Sequence, residues 1–443
     1  FAPCSAPTLL SKRGSRDWRT WPIGDNFGHL LRAISIRIIR DVESGRFLDE
    51  SIDSAFSRSR LNEGERALIY QITSGVIRWR GYLEIILSRY AKKPVEKDVR
   101  YLLWMTLYQV GFMKKAHYHV VKEAVEYARN EKGKFVAGFV NAVLRRFVSD
   151  REDRSLSSAG AVRHAFPKWL VDRWTLRFGA SETDGLLELL NREPEFALRV
   201  HTLRLTVDRA LEALTDGGLE VRRGRLSPSA LTVDRLAPVL ASSLFREGLV
   251  SVQGEASQLA GMAVAAAGGT TILDACTGSA TKTKQVREMC PQARVISMDN
   301  KMKRLLLSSL GDHIVCADAL APPFRAGYFD TILVDAPCSS LGIVRKHPEI
   351  KWRRSEEDIS RFAAMQLSLL RSLWDLVRPG GHVVYSVCSF EPEETTDVIR
   401  NLAKDKNFVL ENPLPFLFNK DCFLSLPHET ALDGFFIARI RKL

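Results

Sequence analysis

The sequence predicts two structural classes in one chain, an all-helical domain followed by an α/β domain with a mostly parallel, doubly wound sheet. From about residue 28 to 150, apolar residues recur three and four positions apart, as in LLRAISIRIIRDV and FVAGFVNAVLRRFV. From about residue 270 onward, short apolar strands alternate with amphipathic helices. Such alternation requires right-handed crossovers between parallel strands. The length of 443 residues also indicates two or three domains.

The helical region has its Gly and Pro residues mainly between the periodic segments, which is typical of a bundle. We expect six basic side chains on its outward faces: Arg78, Arg80, Lys92, Lys93, Arg145 and Arg146. Residues 151–250 are mixed, with a helix entered through Pro167 and short strands in ALRVHTLR and GLVSVQ. We interpret this region as a connecting α+β subdomain.

The C-terminal region contains five strand-like segments, namely TTILDAC, ARVISMD, HIVCAD, FDTILVDA and GHVVYSVC. A helix is predicted over roughly 358–377, and FVLE and GFFIARI are expected to pair as an antiparallel addition. The predicted domains are a disordered N-terminal extension over 1–27, the helical domain over 28–150, the subdomain over 151–250 and the α/β domain over 251–443.

Composition narrows the class of protein. No apolar run approaches the roughly 20 residues that span a bilayer, so an integral membrane protein is excluded. A net charge of +12 favours a polyanionic partner. The seven cysteines include no CxxC pair, so we expect no metal site and reduced thiols in the cytoplasm. The first 25 or so residues lack the apolar core of a secretory signal, although their Arg and Ser content leaves a transit peptide open.

The ligand site is expected at the carboxyl ends of the parallel strands, where open α/β sheets bind their ligands. The strand-like segments end at four acids and one thiol: Asp274, Asp299, Asp318, Asp335 and Cys388. Asp299 is placed to bind ribose hydroxyls, or simply to cap the following helix. The first loop has neither GxGxxG nor a terminal GK[ST], which favours a smaller adenosyl cofactor over a dinucleotide.

The two motifs VDAPCSSLG and YSVCSFEPEE place Cys338 and Cys388 after neighbouring strands, and we expect both thiols to be exposed at the edge of the sheet. Carbon 5 of cytosine is a poor nucleophile. A thiolate that adds to carbon 6 makes carbon 5 able to attack a methyl sulfonium. A strand-end acid such as Asp335 could hold a proton at ring nitrogen 3, and a second cysteine could remove the proton from carbon 5.

At DAPCSSLGIVRKHPEIKW and YSVCSFEPEE the chain resembles the bacterial 16S ribosomal RNA cytosine-5 methyltransferases of the Sun/Fmu (RsmB) family, over nearly its whole length. The resemblance implies a NusB-like RNA-binding domain over 28–150 and a Rossmann-like S-adenosylmethionine-dependent methyltransferase domain. It implies Cys388 as the nucleophile, Cys338 as the cysteine that assists product release, and Asp335 beside the target base. The implied cofactor-binding residues are Cys276, Thr277, Gly278, Ser279, Ala280, Thr281, Lys282, Asp299, Arg304, Asp318 and Asp335.

The first loop departs from the family pattern D-x-C-A-A-P-G-G-K-T, because Ser279, Ala280 and Thr281 replace Pro-Gly-Gly. Glycine takes positive φ angles that Ala and Thr resist, so we expect weaker cofactor binding. Thr281 is expected to be the worst substitution because it is β-branched, while Gly278 could restore some freedom.

The leading hypothesis is methyl transfer from S-adenosylmethionine to carbon 5 of a cytosine in 16S ribosomal RNA, by a monomer. The alternative is a ribosomal RNA-binding or assembly factor with weakened or lost activity. A DNA cytosine methyltransferase would attack through Cys338 instead, and an NAD-dependent oxidoreductase lacks its fingerprint. A basic and aromatic run after the first motif is expected to contact phosphates and stack on a base: Arg345, Lys346, His347, Lys351, Trp352, Arg353 and Arg354.

Overall fold

The computed structural model describes residues 27–113, 115–150, 160–307 and 313–443, and these form two compact units. The helical unit contains the described residues up to Asn191 together with His347–Arg353, and the sheet unit contains Arg192–Lys346 and Arg354–Leu443. The extension predicted over 1–27 lies outside the described residues, except for Phe27, where the first helix begins. Within those ranges, no helix combines the length and the apolar character that crossing a bilayer requires.

The helical unit is built from helices only, as the periodicity predicts. In chain order they are α1 (Phe27–Glu43), α2 (Leu48–Phe56), α3 (Glu63–Tyr90), α4 (Lys97–Gly111), α5 (His117–Lys132), α6 (Lys134–Ser149), α7 (Ala161–His164), α8 (Lys168–Phe178), α9 (Ala180–Leu190) and α16 (Ile350–Arg353). A capping box starts α3, since Asn62 and Glu65 each accept a hydrogen bond from the other's backbone N–H. The apolar faces of α1 to α6 form one core.

Four of the six predicted outward cations, Lys92, Lys93, Arg145 and Arg146, are exposed, and Arg80 is half-buried. The prediction for Arg78 is wrong, because only 3% of its surface is exposed. The middle of α3, residues 72–78, is buried at every position, so this stretch has no outward face.

Part of the predicted phosphate-binding run also lies inside the helical unit. Lys351 is fully buried, and its ammonium donates to the carbonyl of Arg78 at 2.8 Å and to Oδ1 of Asn191 at 2.9 Å. The indole N–H of Trp352 donates to the carbonyl of Ile77. The expectation that Lys351 contacts RNA is therefore wrong, because its nitrogen is fully buried and bonded to two acceptors of the protein itself.

The sheet unit contains a small and a large sheet. Its strands are β1 (Phe196–Val200), β2 (Val221–Arg223), β3 (Ala230–Val233), β4 (Val250–Val252), β5 (Thr271–Asp274), β6 (Arg294–Asp299), β7 (Ile314–Cys316), β8 (Phe329–Asp335), β9 (Val377–Val387), β10 (Phe408–Glu411), β11 (Cys422–Ser425) and β12 (Phe435–Lys442). Its helices are α10 (Val207–Asp216), α11 (Ala237–Ala241), α12 (Ser243–Arg246), α13 (Glu255–Ala267), α14 (Thr281–Met289), α15 (Met302–Leu307), α17 (Glu356–Trp374), α18 (Thr396–Leu402) and α19 (Pro427–Thr430).

The small sheet is antiparallel in the order β2-β3-β1-β4 and packs its own apolar cluster against α10. The large sheet runs β10-β12-β9-β8-β5-β6-β7, with β11 also paired to β12. Strands β5 to β9 pair in parallel, which confirms the doubly wound prediction. The antiparallel pairing of FVLE with GFFIARI is also confirmed, as β10 with β12.

Candidate active site

The carboxyl edge of the large sheet brings the predicted acids and thiol together. Strands β5, β6 and β8 end at Asp274, Asp299 and Asp335, and Cys388 directly follows β9. Asp318 lies two residues beyond the end of β7. The thiol of Cys276 lies among the acids. Burial, followed by the negative charges of Asp274, Asp335, Asp299 and Asp318, raises the pKa of that thiol.

The loop between β5 and α14 takes left-handed backbone angles at two positions. Gly278 has φ of +56°, so it supplies the freedom expected of it. The second position is Ala280, with φ of +62° and a fully buried side chain. The expectation that Thr281 is the worst substitution is wrong, because Thr281 is the first residue of α14 and has no positive φ. The strain lies on Ala280, where a left-handed alanine costs about 1 kcal/mol.

The carboxylate of Asp299 is hydrogen-bonded to the loop between β5 and α14. Its Oδ2 accepts the N–H of Gly278 at 3.0 Å, and its Oδ1 accepts the N–H of Lys301 at 2.9 Å. Arg304 lies 3.6 Å from the same carboxylate. The bond to Lys301 matches the helix-capping alternative. Each oxygen still has a second lone pair, so the carboxylate can also accept from a ribose hydroxyl.

Asp274 is a buried acid at the centre of this edge. Thr283 donates its hydroxyl to Oδ2 at 2.5 Å, whereas Oδ1 has no hydrogen-bond partner among the described residues. Burial raises the pKa of Asp274 to about 6. The hydrogen bond from Thr283 acts in the opposite direction, whereas the negative charge of Asp335 raises the pKa further. The site therefore holds a carboxylate that costs free energy to ionise.

We expect Asp274→Asn to stabilise the protein at pH 8. Asp274 has a pKa of about 6 in the folded state and about 3.8 when unfolded, so its ionisation costs the folded state about 3 kcal/mol above pH 6. This cost disappears as the pH falls below about 4, where the acid is neutral in both states. Scanning fluorimetry between pH 4 and 8 measures the apparent melting temperature. Asp274→Asn should melt at a higher temperature than the native protein near pH 8, and at the same temperature near pH 4.

Asp330→Asn is the matched control, because its effect has the opposite sign. Partial burial raises the pKa of Asp330, but the N–H groups of Thr271 and Thr270 and the guanidinium of Arg378 outweigh it and lower the pKa to about 2. Ionised Asp330 stabilises the fold above about pH 4, and this contribution is lost as the pH falls toward 2. Asp330→Asn should therefore lower the melting temperature at pH 8. If both variants changed the melting temperature at pH 8 in the same direction and by the same amount, the raised pKa assigned to Asp274 would be contradicted.

Asp335 is oriented by two neighbours. The ammonium of Lys282 donates to Oδ2 at 2.6 Å, and the hydroxyl of Ser386 donates to Oδ1 at 2.8 Å. Lys282 also lies over the ring of Phe435, with 5.6 Å between its nitrogen and the ring centroid. Lys282, in the first turn of α14, is therefore bonded to the acid within the first cysteine motif.

The two cysteines are paired. Sγ of Cys338 lies 3.1 Å from Sγ of Cys388, and the hydroxyl of Ser340 lies 3.5 Å from the Cys388 sulfur. The hydrogen bond between the sulfurs lowers the pKa of the Cys388 thiol and raises the pKa of Cys338 well above its usual value. Of the two, Cys388 is therefore the thiol that ionises first.

The prediction that both thiols are exposed is wrong for Cys338, which is only 6% exposed, while Cys388 is half-buried. The physical reason is packing, since Cys338 belongs to the apolar cluster of the large sheet. Of the two sulfurs, that of Cys388 is therefore the more accessible.

A buried carboxylate, which the sequence analysis missed, accepts hydrogen bonds from both cysteine motifs. Glu394 accepts the N–H of Ser339 at 2.7 Å and the hydroxyls of Ser339 and Ser389 at 2.5 and 2.6 Å. These serines directly follow the two cysteines in the chain. Glu394 is thus a positioning residue. Its only sequence signal was its place in the second motif.

Two serines were also missed. Ser386 is the direct partner of Asp335 in the ladder between β8 and β9, so correct strand register would have identified it. Ser340 has φ of +63°, and nothing in its sequence context signals that conformation.

The architecture defines the class of protein. A NusB-type helical domain precedes a Rossmann-like S-adenosylmethionine-dependent methyltransferase domain. Residues 29–149 match the NusB family, and residues 166–240 match the ferredoxin-like domain of RsmF/B-like methyltransferases. Residues 262–441 match the family described as 16S rRNA methyltransferase RsmB/F.

The relatives specify the family. Ribosomal RNA small subunit methyltransferase B of Pasteurella multocida is 32% identical over 434 residues, covering 93% of this chain and 96% of the relative. The Vibrio cholerae protein of the same name is 32% identical and covers 90% and 94%. This chain belongs to the ribosomal RNA small subunit methyltransferase B family. A methyltransferase homologue from Pyrococcus horikoshii has the same fold, with a TM-score of 0.53 and 22% identity over 65% of this chain and 100% of that one.

The cofactor of this class is S-adenosylmethionine, and the residues present fit it. The sulfonium and the amino group of this molecule are cationic, and the site holds four carboxylates around the first loop. Oδ1 of Asp274 is buried and unpaired among the described residues, so a donor or cation at this point would satisfy it.

Proposed function

We propose that the protein transfers a methyl group from S-adenosylmethionine to carbon 5 of a cytosine in 16S ribosomal RNA, through a covalent bond between Cys388 and carbon 6. The observation that supports this proposal most directly is the sulfur pair, with 3.1 Å between the two Sγ atoms at the acidic edge of a methyltransferase sheet. The hydrogen bond between them lowers the pKa of the Cys388 thiol and raises the pKa of the Cys338 thiol. A single-thiol or thiol-free methyl transfer has no use for such a pair.

The first step assigned to the chain is addition of the Cys388 thiolate to carbon 6. The sulfur–carbon bond forms, and the electron pair of the carbon 5–carbon 6 double bond becomes available at carbon 5. The Cys338 S–H favours the thiolate by donating to it. S-adenosylmethionine supplies the methyl group as an electrophilic carbon on a positively charged sulfur.

The second step assigned to the chain is removal of the carbon 5 proton. After Cys388 is bonded to carbon, its sulfur no longer holds the Cys338 proton, which can leave to solvent. The Cys338 thiolate then takes the proton from carbon 5, the double bond re-forms, and the Cys388 sulfur leaves as a thiolate. Asp335 is held by Lys282 and Ser386 in the position proposed for contact with the cytosine ring.

The second candidate function is a ribosomal RNA-binding or assembly factor with weakened methyl transfer. The observation that favours it is the left-handed Ala280 in the cofactor loop, where the family pattern has glycine. Such strain reduces the free energy available to order the loop around a ligand. In either case we propose a cytoplasmic protein that acts on ribosomal RNA as a monomer.

Two measurements test the proposed function. Isothermal titration with S-adenosylmethionine should show saturable binding with one site per chain, whereas absence of binding up to millimolar concentration supports the assembly factor. Bisulfite sequencing of ribosomal RNA from cells with and without the gene should show one or more 5-methylcytosines in the small-subunit RNA that depend on it. A bound cofactor without any gene-dependent 5-methylcytosine would contradict the proposed substrate.

A further inference from the structure

A groove within the sheet unit is lined by more cations than anions. It encloses about 280 Å³ between the small sheet, the segment 345–346 after the first cysteine motif and the segment 431–433 before β12, and we call it the arginine groove. Its charged lining is Arg222, Arg223, Arg225, Arg345, Lys346, Glu195, Glu255 and Asp433. Five cations therefore face three carboxylates.

The three carboxylates are already engaged. Asp433 is paired with Lys346, with 2.5 Å between Oδ2 and Nζ. Glu195 lies 3.9 Å from Arg222. Glu255 is buried and accepts two backbone N–H groups, including that of Ser227 at 2.8 Å.

Arg225 is therefore left as an exposed cation at the groove. Among the residues that the structure describes, no carboxylate lies within ion-pair distance of it. Arg345 faces the same groove and is half-buried, with its guanidinium donating to the carbonyl of Glu193 at 2.9 Å. Arg223 is paired with Asp208, and Arg222 also lies 3.8 Å from Glu220. Arg225 is thus a groove cation whose charge no carboxylate of the described residues neutralises.

The loop that carries Arg225 is rigidly held. The N–H of Gly224 donates to the carbonyl of Ala230 at 2.8 Å, and a Cβ at Gly224 would lie 2.4 Å from that of Ala230. Ser227 donates its hydroxyl to Gln258 at 2.8 Å, next to its bond to Glu255. Because both acceptors lie on α13, the arginine is presented from a fixed backbone, which reduces the entropy cost of binding.

The groove adjoins the sulfur pair through the backbone. The N–H of Gly342 donates to the carbonyl of Cys388 at 3.1 Å, and the N–H of Gly434 donates to the carbonyl of Gly342 at 2.8 Å. The groove residue Lys346 lies four residues after Gly342, and the groove residue Asp433 lies one residue before Gly434. A strand whose target base reaches Cys388 would therefore continue past the groove.

We propose that the arginine groove binds backbone phosphates of the RNA next to the target cytosine, with Arg225 as a principal contact. The inference rests on the proposed function, because it places the flanking strand of the same substrate. Arginine is well suited to bind phosphate, because its planar guanidinium is always positively charged and can donate two parallel N–H hydrogen bonds to the phosphate oxygens. No base-specific group is needed for such a contact, so the groove positions the strand and does not read its sequence.

The test is Arg225→Gln, measured by fluorescence anisotropy on a labelled, unmodified 16S ribosomal RNA transcript at several salt concentrations. We expect affinity to fall roughly three- to tenfold at 0.15 M salt and the slope of log K against log salt to decrease by about 1. Arg222→Gln together with Arg225→Gln should decrease the slope by about 2. Methyl-transfer assays should show a higher KM for RNA with kcat unchanged.

The matched control is Arg400→Gln, which removes the same charge from an exposed side chain on α18, outside the groove. If Arg225→Gln and Arg400→Gln have the same affinity and slope, the groove proposal is overturned. This result is distinguishable from failure of the proposed function, because anisotropy needs no methyl transfer. Groove-dependent RNA binding without any 5-methylcytosine would retain the groove and reject the reaction.

Discussion

Replacement of Cys388 by alanine is expected to abolish methyl transfer and to leave no covalent protein–RNA adduct. Without a thiolate at carbon 6, carbon 5 of cytosine stays too weakly nucleophilic to attack, so activity should fall by about 10⁴-fold or more. The fold should tolerate the change, because Cys388 is only half-buried and alanine keeps the β-carbon. The measurement is tritium transfer to unmodified 16S ribosomal RNA, with adducts resolved on a denaturing gel.

Cys290→Ala is the matched control for this prediction. Cys290 is also half-buried, but it follows the end of α14 and has no contact with the sulfur pair. It should transfer methyl groups at the native rate and bind S-adenosylmethionine normally. Retained transfer in Cys388→Ala, combined with loss of the adduct in Cys338→Ala, would reverse the roles of the two cysteines.

The main features of the fold could be predicted from the sequence because they depend on local pattern. The alternation of apolar strands with helices identified the parallel strands β5 to β9, and their last residues marked the carboxyl edge. Asp274, Asp299 and Asp335 end their strands as expected, since open α/β sheets bind their ligands at the carboxyl ends of the parallel strands. Periodicity likewise predicted an all-helical region over about 28–150, where the structure has α1 to α6.

The failures concern burial that long-range packing decides. The sequence around Lys351 is basic, which is typical of a surface segment. The nitrogen of Lys351 nevertheless donates to the carbonyl of Arg78, 273 residues earlier in the chain. The burial of Arg78 has the same origin, because the middle of α3 is enclosed on all sides. No local pattern reports which helix will be surrounded by the rest of its unit.

The backbone conformation of the loop between β5 and α14 could not be predicted from the sequence either. Composition identified the missing glycines, but it could not show whether position 280 or 281 takes the positive φ. The deciding fact is where α14 begins, because the residue before the first turn is the left-handed one. Glu394 was missed for a similar reason, since its two serine partners come together only in the folded protein.

Cys338→Ala is expected to trap the enzyme on its RNA. Addition of Cys388 and methyl transfer can still occur, but the base proposed to remove the carbon 5 proton is missing, so the methylated adduct cannot collapse. Turnover should fall by about 10²- to 10⁴-fold, the usual contribution of a general base, while a band that survives denaturation accumulates with one RNA per chain.

The pH dependence of the first turnover separates this role from a merely structural one. The hydrogen bond from Cys338 lowers the pKa of the Cys388 thiol, so its removal should raise that pKa. The thiolate fraction is lost as the pH falls through the pKa, and adduct formation in Cys338→Ala should therefore require a higher pH than in the native protein. Cys338→Ser should also accumulate adduct, because a serine hydroxyl can donate a hydrogen bond but does not ionise near neutral pH. If Cys338→Ala released methylated RNA at the native rate, without an adduct, the proton at carbon 5 would have to leave by another base.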